Sequence, residues 1–562
     1  MKNKEVADKL YEIADYLEMQ EVEWKPRAYR RAARNIEALS ESIEDIHERG
    51  ELEEIDGVGE NIAKKIAEYL DTGEMEYYQQ LREELPVDIE ALTSVESLGP
   101  KRVKKLYKAL EVTDLDELEQ AAEEGKIEEV EDFGKKSQGK ILGHIEQAKE
   151  GQERMLIGKA FPIAQNLREE MEESEKYNRV TIVGSFRRRR PTVGDIDILA
   201  TADDAMEAME DFTSGSDVKE VMVEGETKSS IKVSGGLQVD LRIVDDESYG
   251  AALQYFTGSK DHNVTVRTIA TRKDWKLNEY GLFDSDENKL AGETEEGIYN
   301  KLQMNYIEPE LREDTGEVEA AQKENLPDLV EREEVKGDLQ MHSKYSDGRD
   351  SIEELAEKAE ELGHEYILIT DHGPSLQIAN GLEEDEIDEQ REEIKEINEK
   401  YDVEVLHGIE ANITDEGLDV SKEACGEFDL VVVAMHNPTE NPTEDLIWVM
   451  EDYPVDIIAH PQNRKINERE PLDLDLDRVV EKASEEDVAL EINSQPARLD
   501  LDWANVKEYR DKVKYVISTD AHSTSEMELL HLGVSQARRG WCEKENIINT
   551  ENLEDLLDYF RG

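Results

Sequence analysis

The stretch "VGSFRRRRPTVGDIDILA", Val183 to Ala200, decides how the chain is read. Asp195 and Asp197 stand two apart in a run with the alternation of a strand, so both carboxylates project from one face. Ile196 and Ile198 project from the other. A further acid, Asp240, lies in the apolar run "LQVDLRIV". Three carboxylates from adjacent strands can hold two Mg²⁺ ions, which in phosphoryl transfer activate the attacking hydroxyl and stabilise the leaving oxygen. Gly184 and Ser185 open a turn that can grip a triphosphate, with Arg188 as its charged partner. A solvent-facing Asp-x-Asp pair is the bland alternative, and the Gly-Ser upstream argues against it. A solvated turn is one reading of Arg187 to Arg190; in so acidic a chain, a local basic cluster marks where a polyanion approaches.

The acidity is general. The 562 residues include 138 Asp and Glu against 67 Lys and Arg, a formal net charge of −71. Apolar runs such as "YILIT", "LVVVAM" and "DIIAH" recur between turn signals, which excludes a wholly disordered acidic chain. The length exceeds what one core supports, so several domains are expected. The surface suits concentrated salt: near 1 M the Debye length falls to about 3 Å and carboxylate repulsion is screened. Dilute buffer should loosen the fold. Two cysteines, Cys425 and Cys542, make no disulfide framework, as in a reducing interior. The first residues form an amphipathic helix pattern rather than a signal peptide, and no apolar stretch approaches the roughly 18 residues of a membrane span. A cytoplasmic protein is expected.

Residues 1 to about 150 read as short helices rich in Glu, Lys, Ala and Leu. "EIDGVGENIAKKIAEYL", Glu54 to Leu70, sets Gly57 and Gly59 between two helical patterns, leaving backbone N–H groups at a helix N-terminus open to a phosphate. "SVESLGPKRVKKLYKAL", Ser94 to Leu110, repeats the design with Gly99 and Lys101, although Ser97 stands where the first glycine belongs. A weaker third copy surrounds Phe133. Any single copy also reads as an ordinary helix turn; two in series, each followed by lysines, resemble helix-hairpin-helix motifs, which hold DNA by its backbone. Strand texture begins at Arg179, and the polar stretch Arg312 to Asp338 reads as a linker. Beyond it, apolar strands alternate with acidic helices, as in βα units of a parallel sheet or barrel.

In that last region strand after strand ends in a residue type that binds metal. "GDLQMHSKYSDG", Gly337 to Gly348, supplies His342 and Asp347; later runs supply Asp371 and His372, Glu410, His436, His460, Glu491 and Asn493, then Asp520 and His522. They fall just beyond apolar runs, where barrel active sites sit. The set of His, Asp and Glu suits Zn²⁺, Mn²⁺ or Fe²⁺. Gln340 occupies a position where a further imidazole would complete the pattern, and its amide is a poor ligand for a transition metal.

Gly-Ser followed by Gly194-Asp-x-Asp resembles the nucleotidyltransferase palm, and "YFTGSKDHNVTVR", Tyr255 to Arg267, resembles the family X DNA polymerases. That resemblance implies a metal triad of Asp195, Asp197 and Asp240 with Mg²⁺, and a deoxyribose pocket of Tyr255, Phe256 and Gly258. It also implies contacts from Asn263 and Arg267 to the incoming nucleotide and the template. "KPRAYRRAA" is similar to the family's 5′-phosphate pocket through Lys25 and Tyr29, and Lys65 matches a lysine that forms a Schiff base with an abasic sugar. A solvated helix lysine is the plain alternative, and Asn61 leaves the pocket less basic than in some members. The C-terminal region is similar to the PHP (polymerase and histidinol phosphatase) domain, a distorted (β/α)₇ barrel with up to three ions, Mn²⁺ or Zn²⁺. By that likeness one site takes the Gln340 position with His342, Glu410 and Asp520; a second takes Glu410, His436 and His460; a third takes Asp347, His372 and His522.

The whole chain thus resembles bacterial and archaeal family X polymerases with a C-terminal PHP domain, here of a halophilic archaeon. The implied fold is multidomain α/β: a lyase-like helical domain at 1–90, helix-hairpin-helix fingers at 91–150, a palm at 151–245, a thumb at 246–315, a linker at 316–335 and the barrel at 336–562. The implied activity is gap-filling DNA polymerisation in base excision repair, with 3′–5′ exonuclease and 3′-end cleaning, abasic-site cleavage in some members, on gapped or primer–template DNA with dNTPs. A monomer is expected. A DNA-bound phosphoesterase with minor polymerase activity, a polymerase with a silent barrel, and a non-catalytic end-binding scaffold are the rival readings.

Overall fold

Val6, Leu10, Ile13 and Leu17 recur at three- and four-residue spacing, the stripe of an amphipathic helix. In the computed structural model they line the buried face of the helix Lys2–Met19. The structure describes residues 2–561 apart from 21, 23, 38, 40, 41, 56, 96, 97, 131, 132, 136, 140, 143, 144, 146–153, 377, 378, 383 and 438. Ser97 and part of the third glycine turn lie outside the described residues. The chain divides into two units.

The first unit holds residues 1–155, 162–186 and 192–302. Its helical part packs around one core, to which Lys2–Met19 and Lys25–Glu37 contribute most intimately through Leu10, Ala14, Tyr29, Ala33 and Ile36. Two of its helices, Glu60–Thr72 and Pro100–Leu110, start from Gly59 and Gly99 as N-caps. The strand part is a five-stranded sheet in the spatial order Arg179–Ile182, Asp195–Thr201, Gln238–Ile243, Lys228–Val233, Val218–Glu224. Within it Asp195–Thr201 and Gln238–Ile243 run parallel, and the other neighbours run antiparallel. Helices Tyr249–Thr257 and Lys260–Thr271 follow, then a three-stranded antiparallel sheet between Lys276 and Ala291.

The second unit holds 303–562 with two short pieces, 156–161 and 187–191. Seven parallel strands succeed one another in chain order: Gly337–Met341, Tyr366–Ile369, Glu404–Thr414, Leu430–Ala434, Ile457–Ile458, Ala489–Asn493 and Tyr515–Ser518. A parallel bridge between Met341 and Ala521 joins the last strand's end to the first, so the row closes into a barrel. Both faces of these strands are buried, which is why they read as unbroken apolar runs rather than alternating ones.

The stretch expected to be a linker is packed structure. Helix Glu317–Gln322 buries Glu317, Val318 and Ala321, and Val330 is fully buried. The composition misleads because Glu317 is spent internally: its two oxygens accept from the Asp314 and Thr315 N–H groups at 2.9 and 2.7 Å. Both cysteines are buried and free.

Candidate active sites

In the sheet of the first unit the register sets Asp197 directly beside Asp240, and Asp195 beside Gln238. The three carboxylates therefore share one face of two neighbouring parallel strands. Asp240 is buried; Gln238 Nε2 donates to its Oδ1 at 2.8 Å, and the buried Lys228 ammonium lies 3.4 Å from its Oδ2. Sequence reasoning missed Lys228, which sits two strands from Asp197 with nothing in "ETKSS" to flag it. Gly184 starts the short helix Gly184–Arg187 at φ +64°, and a Cβ there would lie 2.3 Å from Asp197 Oδ2. Only glycine lets the turn and the carboxylate come so close. Ser185 follows it, half-buried. Gly194 precedes the carboxylate strand, where a Cβ would come within 3.3 Å of Arg154 Nη1. An all-oxygen set of this kind fits Mg²⁺.

Arg188 differs from expectation. It belongs to the second unit, where its Nε is 3.2 Å from Glu313 Oε1, and Arg539 donates to both the Arg188 carbonyl and Glu313, at 2.6 and 3.2 Å. Burial alone would raise the Glu313 carboxyl; Arg188, Arg539 and Arg190 together hold it below its ordinary value. Asn263 also differs. Its Nδ2 donates to the Tyr255 carbonyl and its Oδ1 accepts from Gln254, both at 2.7 Å, because a buried amide must find partners. It thereby holds the end of the helix that carries Tyr255 and Phe256, which meet edge to face at 5.2 Å. Gly258 ends that helix at φ +72°, and Arg267 lies one turn beyond Asn263, half-buried.

In the helical region, Gly57 has φ +83° and packs so closely that a Cβ would meet Arg31 Cγ at 2.9 Å. Glycine at the N-caps 59 and 99 has no side chain to cap with, so first-turn N–H groups are left for an outside acceptor, with Lys101 exposed beside the second. Lys65 Nζ rests 4.7 Å from the Tyr77 ring centre and donates to the Asn61 carbonyl at 3.2 Å. Burial and the like charge of Lys25 hold its amine below the ordinary lysine value. Tyr29 is buried, which pushes its hydroxyl up to about 12, with Tyr77 adding to the effect.

At the barrel mouth Glu410 collects the imidazoles. Its Oε2 lies 2.9 Å from His372 Nδ1 and 3.5 Å from His342 Nε2; its Oε1 lies 3.2 Å from His460 Nε2 and 3.6 Å from His436 Nε2. Asp347 Oδ1 lies 3.5 Å from His372 and 3.4 Å from His522, and Asp520 Oδ1 lies 3.1 Å from His342. Two groups have ligand atoms mutually within 4.8 Å: His342, Asp347, His372 and His522; and His372, Glu410 and His436. Glu410 Oε2 and His372 Nδ1 are buried and, despite their 2.9 Å approach, are not aligned for a hydrogen bond. Buried ligand-type atoms without a hydrogen-bond partner, grouped within 4.8 Å of one another, fit a metal ion. The Gln340 side chain is buried too, with neither amide atom hydrogen-bonded, so it also fits a site whose partner is an ion or water.

The surrounding groups aim these ligands. Asp371 accepts from the Ser343 N–H at 2.8 Å, from the Ser346 hydroxyl and from Gln390 at 2.6 Å, fixing the loop between His342 and Asp347. Gly348 closes that loop, since a Cβ would meet the His342 carbonyl at 2.2 Å. Glu491 accepts from the His460 N–H at 2.6 Å; burial pushes its carboxyl well above the usual range. His460 and Asp520 hold φ of +28° and +52°, strained values for side-chain-bearing residues. Burial pushes His436 down to about 4, whereas Asp347 carries His522 up to about 9 against the effect of burial.

Both clusters suit divalent ions, and the class to which such a fold and such clusters point is that of phosphoryl-transfer proteins. Comparison with known proteins narrows the class. Models of the DNA polymerase beta palm and thumb match residues 160–271 and 252–313, helix-hairpin-helix models match 1–75 and 89–145, and the PHP domain matches 338–495. The DNA polymerase/3′-5′ exonuclease PolX of Bacillus subtilis is 34% identical over all of both chains. DNA polymerase lambda of the rat is 23% identical over 55% of this chain and 56% of its own, and a probable phosphatase of Acetivibrio thermocellus is 31% identical over 32% and 75%. The chain belongs to the PolX family of DNA polymerases with a PHP domain.

Proposed function

We propose that this chain fills short gaps in DNA from dNTPs at the palm and trims 3′ ends at the barrel, as a DNA repair enzyme of a salt-rich cytoplasm. The observation that carries the polymerase half is the register of Asp197 beside Asp240 with Gly184 pressed against Asp197. Bound ions, Mg²⁺ on Asp195, Asp197 and Asp240 and Mn²⁺ or Zn²⁺ on the barrel ligands, would supply Lewis-acid stabilisation of phosphoryl charge.

The chain's own groups do the rest. Gly184 and Ser185 offer backbone N–H groups to the triphosphate, while Tyr255, Phe256 and Gly258 exclude a 2′-hydroxyl and Arg267 faces the template. Gly57, Gly59, Gly99 and Lys101 hold DNA by its phosphates. Lys25 and Tyr29 take a 5′-phosphate beside Lys65, whose lowered amine favours the neutral form a Schiff base needs. In the barrel His342, Asp347, His372, Glu410, His436, His460, Asp520 and His522 hold the ions. Gln340 offers a carbonyl oxygen there, which favours Mn²⁺ over Zn²⁺.

The test uses a 5′-labelled primer–template in molar KCl with Mn²⁺. Asp197→Ala should stop extension and leave shortening; His436→Ala should do the reverse. Loss of both activities in either variant, with the protein folded, would refute two separate centres.

A further inference from the structure

Just beyond His460 the barrel mouth brings two guanidiniums to one neutral oxygen. Arg498 Nη1 donates to Asn463 Oδ1 at 3.1 Å, and Arg469 Nη2 donates to the same atom at 2.6 Å. Asn463 is fixed for this: it is buried, its Nδ2 donates to the Met435 carbonyl at 2.7 Å, and its backbone is held at φ +48°. Arg469 Nε donates to the Asn463 carbonyl at 2.9 Å. Among the described residues no carboxylate forms an ion pair with Arg469. Asp520 lies 3.7 Å from Arg498 Nε and is already committed to His342, and the buried Asp500 attracts both Arg498 and Arg469.

Arg469 is exposed and Arg498 half-buried; elsewhere in this unit Arg538 meets Glu310 and Arg188 meets Glu313. Two cations converging on an amide oxygen repel each other, and burial together with Arg498 holds the Arg469 guanidinium below its ordinary value. The third arginine of this corner, Arg464, is occupied structurally: it donates to the carbonyls of Arg498 and Leu499 and pairs with Asp502. It thus braces the turn that presents Arg498. Once an ion claims Asp520, the carboxylate left to Arg498 is the buried Asp500, which also accepts from the Gln462 and Arg464 N–H groups.

We propose that Arg498 and Arg469 form a phosphate-binding subsite that grips a phosphodiester of the DNA 3′ end against the metal cluster. The subsite rests on the exonuclease reading of the barrel. Paired guanidiniums suit it, since each presents a planar fork to phosphoryl oxygens.

The test measures binding of inorganic phosphate to the full chain without DNA, and 3′–5′ cleavage of a 5′-labelled oligonucleotide, both with Mn²⁺ in molar KCl. Arg498→Gln and Arg469→Gln should each weaken phosphate binding and raise KM by about tenfold or more. kcat, primer extension and bound Mn²⁺ should change little, and Arg498→Lys should recover part of the loss. A purely structural role would lower kcat, KM and melting temperature together without that rescue. Unchanged phosphate binding in both variants overturns the subsite. Weakened phosphate binding with unchanged KM overturns its assignment to DNA. If the parent protein cleaves no DNA, the exonuclease reading fails, and phosphate binding lost in the variants still supports the anion site.

Discussion

Glu410 shows how much can depend on one carboxylate. Two imidazoles approach each of its oxygens, so one negative charge serves four rings. Glu410→Gln keeps the shape and removes the charge; it should reduce bound Mn²⁺ and slow 3′ cleavage by more than about 100-fold, read by metal analysis and rate together. Gln340 is the milder case. Gln340→His should raise Zn²⁺ affinity in calorimetry, and no gain would mean the position does not face an ion. That these residues gather at the barrel mouth was legible because most of them follow an apolar run. Lys228, Asn463 and Arg498 were not: their partners, respectively Asp240, the Met435 carbonyl and Asp520, lie on other strands or loops, and only the three-dimensional packing shows the pairing.

At the level of a strand or loop, close approach decides more than residue type. Gly184→Ala forces a methyl onto Asp197 and a side chain into a left-handed turn, so primer extension should fall below about 1% while 3′ cleavage persists. The Asp371 loop makes a parallel case: Asp371→Ala frees Ser343 and Ser346, and metal affinity should drop about 10–100-fold. His407 supports the same loop through Gln390, at 3.1 Å, and burial pushes it down to about 4. A histidine lowered in the folded state favours folding fully above its ordinary value and loses that contribution as pH falls toward 4. Melting temperature should therefore decline between about pH 6.5 and pH 4, and His407→Gln should flatten the decline. The strands of the barrel and the glycine turns were readable in advance because apolar runs and Gly positions are local signals. The protein partners of Arg188 and Asn263 were not legible: Glu313 lies outside the motif that flagged Arg188, and Tyr255 accepts from Asn263 through its backbone carbonyl.

For the molecule as a whole, charge is the dominant variable. A formal −71 is spread over 562 residues, and at 0.1 M salt it acts over about 10 Å. Melting temperature should rise steadily as KCl increases from about 0.1 to 3 M; a flat curve would show that the acidic surface costs no stability. DNA affinity should depend weakly on salt, with a log–log slope smaller than about 4, if amide N–H groups and stacking carry it. The change of texture at Arg179 coincides with the first strand of the five-stranded sheet, whereas the packing of the expected linker was not legible, since Glu317 looks solvent-bound in sequence and is buried in fact. The barrel's join has one more consequence. Its first and last staves meet at Met341 and Ala521, and His342 and Asp520, 178 positions apart, touch across that seam. An ion gripped there, as proposed, would fasten the hoop as well as act on substrate. Stripping it should let the first stave exchange its amide hydrogens early, long before the helices outside let go.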